Sequence, residues 1–376
     1  MVNLLSFGSV MSYIWYVVVA ILALLVMVMI HEFGHYVAGK ILGFKIEEFS
    51  VGFGPKIVQK RKKNGELFSL RAIPLGGYCA LDGEDENSES TTGFNNQKPW
   101  KRLIVLCAGA VFNFLSAIIF SYVLLVSFGY EDVEVRKIAP NSFAYQVEQH
   151  IEVGDRVVGI NDTDINFVHD DNFNSLLSGY VQTEEFKNTC QIKADGEEYG
   201  LIPLDVERDG KKITVYGVLQ KQIDSKGEEA WSFVSKGSSN EIVLKPYKYG
   251  FGEAIGESFA FSGKWAYKIL LILGDLFTGD LSIKSLGGPV TTVKIMAETS
   301  RANIMYLFVL VPVIAVNLAV FNLLPIPSLD GARMLFVLIE WIRRKPINRN
   351  VEANIHMIGL FLLLGFVLFV DVLQFI

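Results

Sequence analysis

His31, Glu32 and His35 form an H-E-x-x-H sequence. On an α-helix, residues four apart lie about 40° apart around the axis and roughly 6 Å along it, so both imidazoles can reach one zinc ion. Glu32, one position on, cannot join them as a ligand but can face water at the metal, where hydrolysis needs a general base. The chemistry is that of a zinc hydrolase. H-E-x-x-H also arises by chance on polar helix faces of soluble proteins, but here it is reached from Tyr13–Ile30, a run without a charge that nearly spans a bilayer core. Three ionisable groups in five residues on such a helix cost on the order of a few kcal/mol each if they face lipid. The placement therefore favours a functional site inside a membrane helix.

With 51% hydrophobic residues and a mean hydropathy of +0.35 over 376 residues, the chain suggests several spanning helices plus a sizeable water-soluble part. The net charge of −6 is spread over that soluble part, and no nucleic-acid partner is expected. Cys79, Cys107 and Cys190 show no C-x-x-C spacing and fall in three different segments, so they imply neither a disulfide framework nor a cysteine zinc site. The N-terminus has no basic residue before Lys40 and no small-residue cleavage site, so residues 1–42 read as an uncleaved first span. Lys40–Arg102 then holds eleven Lys or Arg, which puts this segment in the cytoplasm and the N-terminus outside. His31 lies roughly 27 Å along the helix from Tyr13, near the cytoplasmic end of the core.

Residues 43–100 are expected to form a β-loop on that side, followed by an acidic Glu84–Gly93 loop. Asn64-Gly65 signals a two-residue hairpin turn with arms at Ile57-Val58 and Leu67–Leu70. Residues 101–129 return outward as a second span, whose Asn113 either bonds a neighbouring helix or orients something near the site. Residues 130–222 change to frequent charges and short β-type runs. Their Pro140–Ala144 and Val153–Asn161 stretches resemble a PDZ domain, with Asp209-Gly210 turning a late hairpin and residues 183–200 as an insertion. A filter or docking role for this domain is as open as capture of a peptide tail.

Residues 223–300 read as a linker with an amphipathic helix at Ser258–Leu273, which carries Lys264 and Lys268 and lies at the outer interface. The third span, in 301–342, includes Ile304–Leu324 and ends in Asn322-Leu323-Leu324-Pro325-Ile326-Pro327-Ser328-Leu329-Asp330-Gly331. Two prolines break the helix at membrane depth, and Arg343, Arg344 and Lys345 mark the cytoplasmic side. Asp330 thus reaches the side of His31 and is the leading third ligand; two His and one carboxylate leave the open position of a catalytic zinc site. Residues 343–376 hold the last span. Its His356 is read as a solvated or hydrogen-bonded interface histidine rather than a zinc ligand, while His150 and His169 lie in the external domain.

His31-Glu32-Phe33-Gly34-His35, Asn322-x-x-Pro325-x-Pro327-x-x-Asp330-Gly331, the PDZ-like insert and Ser285-Leu286-Gly287-Gly288-Pro289 together resemble the site-2 protease family of intramembrane zinc metalloproteases, of the bacterial regulator-of-sigma-E type. The resemblance implies an α-helical polytopic protein of the bacterial inner membrane with four transmembrane helices. It also implies a membrane re-entrant β-hairpin at Phe44–Tyr78 and one extracytoplasmic PDZ-like α/β domain. By that similarity His31, His35 and Asp330 hold Zn2+, Glu32 is the base, and Asn322, Pro325 and Pro327 contact substrate. A hairpin edge near Gly52 and Gly54 is expected to take the unwound substrate as an added strand. The expected reaction is cleavage within transmembrane segments of single-span proteins already trimmed by another protease, such as anti-sigma factors or signal-peptide remnants. Ala110 stands where the family often has proline. A zinc-dependent transporter and a non-catalytic scaffold displaying the PDZ-like domain are the rival readings; neither needs Glu32 between the histidines.

Overall fold

The computed structural model of the protein describes residues 7–84, 92–130, 132–169, 171–194, 196–223, 229–233 and 242–374. Most of the acidic 84–93 loop and parts of the 223–300 segment therefore lie outside the described residues. The chain divides into two compact units, Met1–Tyr122 with Ser258–Ile376, and Val123–Glu257.

The first unit starts with α1 (Phe7–Leu42), whose apolar residues offer no proline to interrupt it. Gly43, at φ +80°, ends the helix, and Phe44 N–H returns to the Gly39 carbonyl at 2.8 Å, the left-handed cap that glycine permits. β1 (Ile46–Arg61) and β2 (Leu67–Leu81) follow. Both double back, so Val51 partners Gly77 on one side and Leu70 on the other, while Arg61 partners Leu67. The turn between them is longer than Asn64-Gly65 predicts. Lys62 N–H bonds to the Glu66 carbonyl at 2.8 Å, and only Gly65 takes positive φ, which gives a three-residue tip closed by a left-handed glycine. Tyr36 of α1 packs its ring against Phe49 and Phe68, and Lys40 pairs with the buried Glu66, which docks this β-structure on the C-terminal turns of α1. α2 (Pro99–Ser127) crosses α1 very closely: a Cβ on Gly34 would lie 2.5 Å from the Ala108 carbonyl oxygen.

The second unit is a β-domain whose strands run beyond residue 222. β3 (Val133–Ile138), β4 (Arg156–Ile160), β5 (Thr163–Asp164), α3 (Phe173–Val181), α4 (Glu184–Thr189), β6 (Gln191–Ala194), β7 (Glu197–Arg208), β8 (Lys211–Ile223), β9 (Glu229–Phe233) and β10 (Ile242–Pro246) form one sheet system with two short helices. The order β10-β3-β4-β7-β8-β9 takes in two strands that the sequence reading assigned to a linker beyond residue 222. Ile242–Pro246 is apolar enough to fill the exposed edge of β3, which composition alone does not reveal. Residues 183–200, expected as an insertion, contribute to the core of this domain. Phe186 of α4 is fully buried against Tyr180 and Trp231, and a Cβ on Gly200 would strike its ring at 2.4 Å. The β7–β8 turn is as expected, with Asp209 and Gly210 both at positive φ.

Back in the first unit, α5 (Phe251–Thr278, of which Ser258 onward belongs here) is amphipathic and is not among the four helices long and apolar enough to cross a membrane. Its Ile269 is buried in a cluster with Met27 and Ala117, so this face packs on the spans rather than lying apart from them. α6 (Pro289–Ala302) is followed by α7 (Met305–Leu323), α8 (Asp330–Arg343) and α9 (Arg349–Leu373). The predicted third span, Ile304–Leu324, corresponds to α7; Pro325 and Pro327 then break the chain, and Asp330 opens α8. Gly331 is required there, because a Cβ would meet the Leu324 and Leu323 carbonyl oxygens at 2.2 and 2.4 Å. Among the described residues, four helices are long and apolar enough to cross a membrane, α1, α2, α7 and α9, and the chain is a polytopic membrane protein with a β-domain.

Candidate metal centre

Helical spacing brings His31 and His35 to one face of α1, and the break before α8 brings Asp330 to meet them. His31 Nε2 lies 2.9 Å from Asp330 Oδ2 and 3.1 Å from His35 Nε2, and His35 Nε2 is 3.3 Å from the same carboxylate oxygen. Tetrahedral zinc with ligand bonds of about 2.0–2.1 Å holds its donor atoms about 3.3 Å from one another. The three donors therefore fit a single zinc ion, and two imidazoles with one carboxylate match its preferred ligand types. Among the described residues no other group of three His, Cys, Asp or Glu side chains converges in this way.

The surroundings orient each donor. His35 Nδ1–H donates to the Val105 carbonyl at 2.8 Å, which leaves the Nε2 lone pair facing the cluster. His31 Nδ1 lies 3.4 Å from Asn113 Nδ2, while Asn113 Oδ1 is buried with no hydrogen-bond partner. Turning that amide over exchanges the two atoms, and Oδ1 then accepts from His31 Nδ1–H and frees Nε2 for the metal. Of the two roles open to Asn113, the geometry favours orienting His31. Gly109 leaves room for both rings, since a Cβ there would lie 2.5 Å from His35 Nε2 and 2.7 Å from His31 Nε2.

Glu32 points elsewhere. Its Oε2 accepts from Cys79 N–H at 3.0 Å, so the carboxylate is held by β2 and not by the other donors. Cys79 partners Phe49 within the sheet, and an amide that reaches Glu32 must leave on the opposite edge of β2. A cavity of about 830 Å³ is lined by Glu32, His35, Tyr78, Cys79, Ala80 and Asp330 among others. A second, of about 280 Å³, reaches His31, Glu32 and Asp330 from the side of Asn113, Leu318 and Asn322. Glu32 and Asp330 stand where the two meet.

The remaining expected site residues divide. Asn322 lines the second cavity and ties one amide N–H to the Leu318 carbonyl at 2.9 Å. Pro325 is exposed, and Pro327 packs against Gly359 of α9, whose Cβ would come within 2.3 Å of it; neither proline lines either cavity. Gly52 and Gly54, at φ +83° and +79°, form the bend where β1 doubles back, fastened by Arg71 to the Gly54 carbonyl at 2.9 Å. The strand edge at Glu32 is instead Tyr78–Ala80. Sequence reasoning missed Cys79, whose contribution is a backbone amide, and Val105, whose contribution is a carbonyl; neither leaves a mark in residue type. Gly109 did leave one, as a glycine inside an apolar helix, between Ala108 and Ala110.

The sequence profile of peptidase family M50 matches residues 19–366. A Clostridium perfringens protein that bears a provisional zinc-metalloprotease name is 30% identical over 366 residues, covering 95% of this chain and 97% of its own. A similarly named Fusobacterium nucleatum protein is 30% identical over 358 residues, covering 94% and 96%. The regulator of sigma E protease of Haemophilus influenzae is 28% identical over 445 aligned positions, covering 97% and 100%.

Proposed function

Because the chain belongs to peptidase family M50, the site-2 protease family of zinc metalloproteases, we propose that it cuts peptide bonds within the membrane-spanning segments of single-span proteins, with His31, His35 and Asp330 as zinc ligands and Glu32 as base. The observation that carries this reading is the convergence of the three donors beside a carboxylate that β2 holds separately. When bound, zinc supplies Lewis acidity to the peptide carbonyl and makes water easier to deprotonate. Glu32 takes the proton of the attacking water and returns it to the leaving amine, and the Cys79 amide fixes the direction in which it does so.

A helical substrate hides its carbonyls in intrahelical hydrogen bonds and must be unwound before it can be attacked. The Tyr78–Ala80 edge, rather than Gly52 and Gly54, is the place for it to add as a strand, with Asn322 facing the adjoining second cavity. The chain sits in the bacterial inner membrane with its N-terminus and β-domain outside and its site near the cytoplasmic face, by the charge pattern of residues 40–102. The Haemophilus relative is named a regulator of sigma E protease; the substrates proposed for this chain are single-span membrane proteins pre-trimmed by another protease, such as anti-sigma factors or signal-peptide remnants.

Cleavage of a single-span peptide in proteoliposomes, with the cut mapped by mass spectrometry, tests this reading. The cut should fall within the apolar stretch, and each Ala→Gly change beside it should speed cleavage by about fivefold, the equivalent of the ~1 kcal/mol by which glycine weakens a helix. Equal rates for helix-stabilised and helix-weakened peptides would contradict it.

A further inference from the structure

α9 touches the ligand-bearing loop at two residues one turn apart. Ser328 N–H donates to His356 Nδ1 at 3.0 Å, and Gly359 leaves the space that Pro327 occupies. Ser328 sits two residues before Asp330 and has φ +83°, a left-handed conformation that a serine seldom adopts unless its surroundings hold it. Its hydroxyl offers no local compensation, since Oγ is buried without a hydrogen-bond partner. The imidazole that accepts the Ser328 amide packs edge-on to Phe336 of α8, with ring centroids 5.5 Å apart. One ring thus links the strained loop to the helix that Asp330 opens.

We infer that His356 is a positioning residue for the metal centre: it holds Ser328 in its left-handed conformation, and through it sets the Asp330 carboxylate against the two α1 histidines. This inference rests on Asp330 being a zinc ligand. Without an acceptor at 356, the left-handed serine keeps only the 3.1 Å bond from Leu329 N–H to the Ile326 carbonyl that closes its turn. The loop then relaxes towards ordinary φ, and the carboxylate leaves a cluster whose donor atoms are only 2.9 to 3.3 Å apart. His356 itself touches neither substrate nor metal.

The test compares the zinc affinity of the full-length protein, by chelator competition, across four chains. Wild type is set beside His356→Leu, which removes the acceptor; His356→Asn, whose Oδ1 replaces Nδ1; and the double variant His356→Leu/Ser328→Gly. Glycine adopts φ +83° without help. His356→Leu should weaken zinc binding by about 10- to 100-fold, the range for lost support of a metal ligand. His356→Asn should restore affinity to within a few-fold, and so should Ser328→Gly in the leucine background. A mere packing defect on α9 would not be cured by removing a hydroxymethyl group 28 positions away. In zinc-free protein, hydrogen exchange should rise at the 326–329 backbone of His356→Leu while the middle of α8 stays protected. Zinc affinity unchanged in His356→Leu, or no recovery in either rescue chain, would overturn the inference. Failure of the ligand assignment itself would appear differently, as zinc affinity unaffected by Asp330→Ala.

Discussion

Glu32→Gln is expected to lower peptide hydrolysis by about 10²- to 10⁴-fold, the usual worth of a general acid–base, while zinc remains bound at the wild-type level. The substitution keeps the shape of the side chain and a carbonyl oxygen that can accept the Cys79 amide, so β2 still holds it in place. Only the ability to take and return a proton is lost. Glu32 is also no part of the donor cluster, which consists of His31, His35 and Asp330. Product formation by mass spectrometry and zinc per chain, measured on the same preparation, separate the two effects. Activity within tenfold of wild type would remove Glu32 from the role of base, and loss of zinc would make it a ligand instead.

The second large effect is expected from a methyl group. Gly109→Ala places a Cβ 2.5 Å from His35 Nε2, 2.6 Å from His31 Cε1 and 2.7 Å from His31 Nε2. The nitrogens concerned are the ones that face the metal, so the rings cannot yield without abandoning the donor geometry. Backbone relief is blocked as well, because Gly34 already brings α1 against Ala108 with no room for a Cβ. Activity should fall at least about 100-fold and zinc should be lost with it, although alanine is the better helix former and the isolated helix would gain about 1 kcal/mol. A Gly109→Ala chain that keeps zinc and turns over peptide would show that α1 and α2 stand further apart than the structure has them.

The contrast between these two residues indicates what a sequence can carry. His31, Glu32 and His35 were legible because a helix has a fixed angular step, and that step turns a spacing of four into one metal-facing side. Asp330 was legible by parity, since charge flanks fix the direction of each span and two prolines mark where the third one breaks. The break between α7 and α8 follows from the same prolines. What remained hidden depends on partners far apart in the chain. Cys79 reaches Glu32 through a backbone amide, and which strand edge is presented depends on a register interrupted by bulges between Ile46 and Val58. The Gly52–Gly54 bend was visible as glycine but not its place, because a glycine-rich bend and a binding edge look alike in composition. β9 and β10 are short strands whose partners, β8 and β3, lie in different parts of the domain, so no local period announces them. Phe186 sits in a charged stretch that reads as surface, and its burial becomes apparent only when Gly200 of β7 is brought opposite.

The central claim is that a carboxylate nearly 300 residues from the H-E-x-x-H helix completes its metal centre. Zinc counted per chain, by elemental analysis of purified wild-type and Asp330→Ala protein after equal exposure to a mild chelator, tests it most directly. The account predicts about one zinc in the wild type and almost none in the variant, since two imidazoles alone form an incomplete site. One zinc per chain in the Asp330→Ala protein would contradict it.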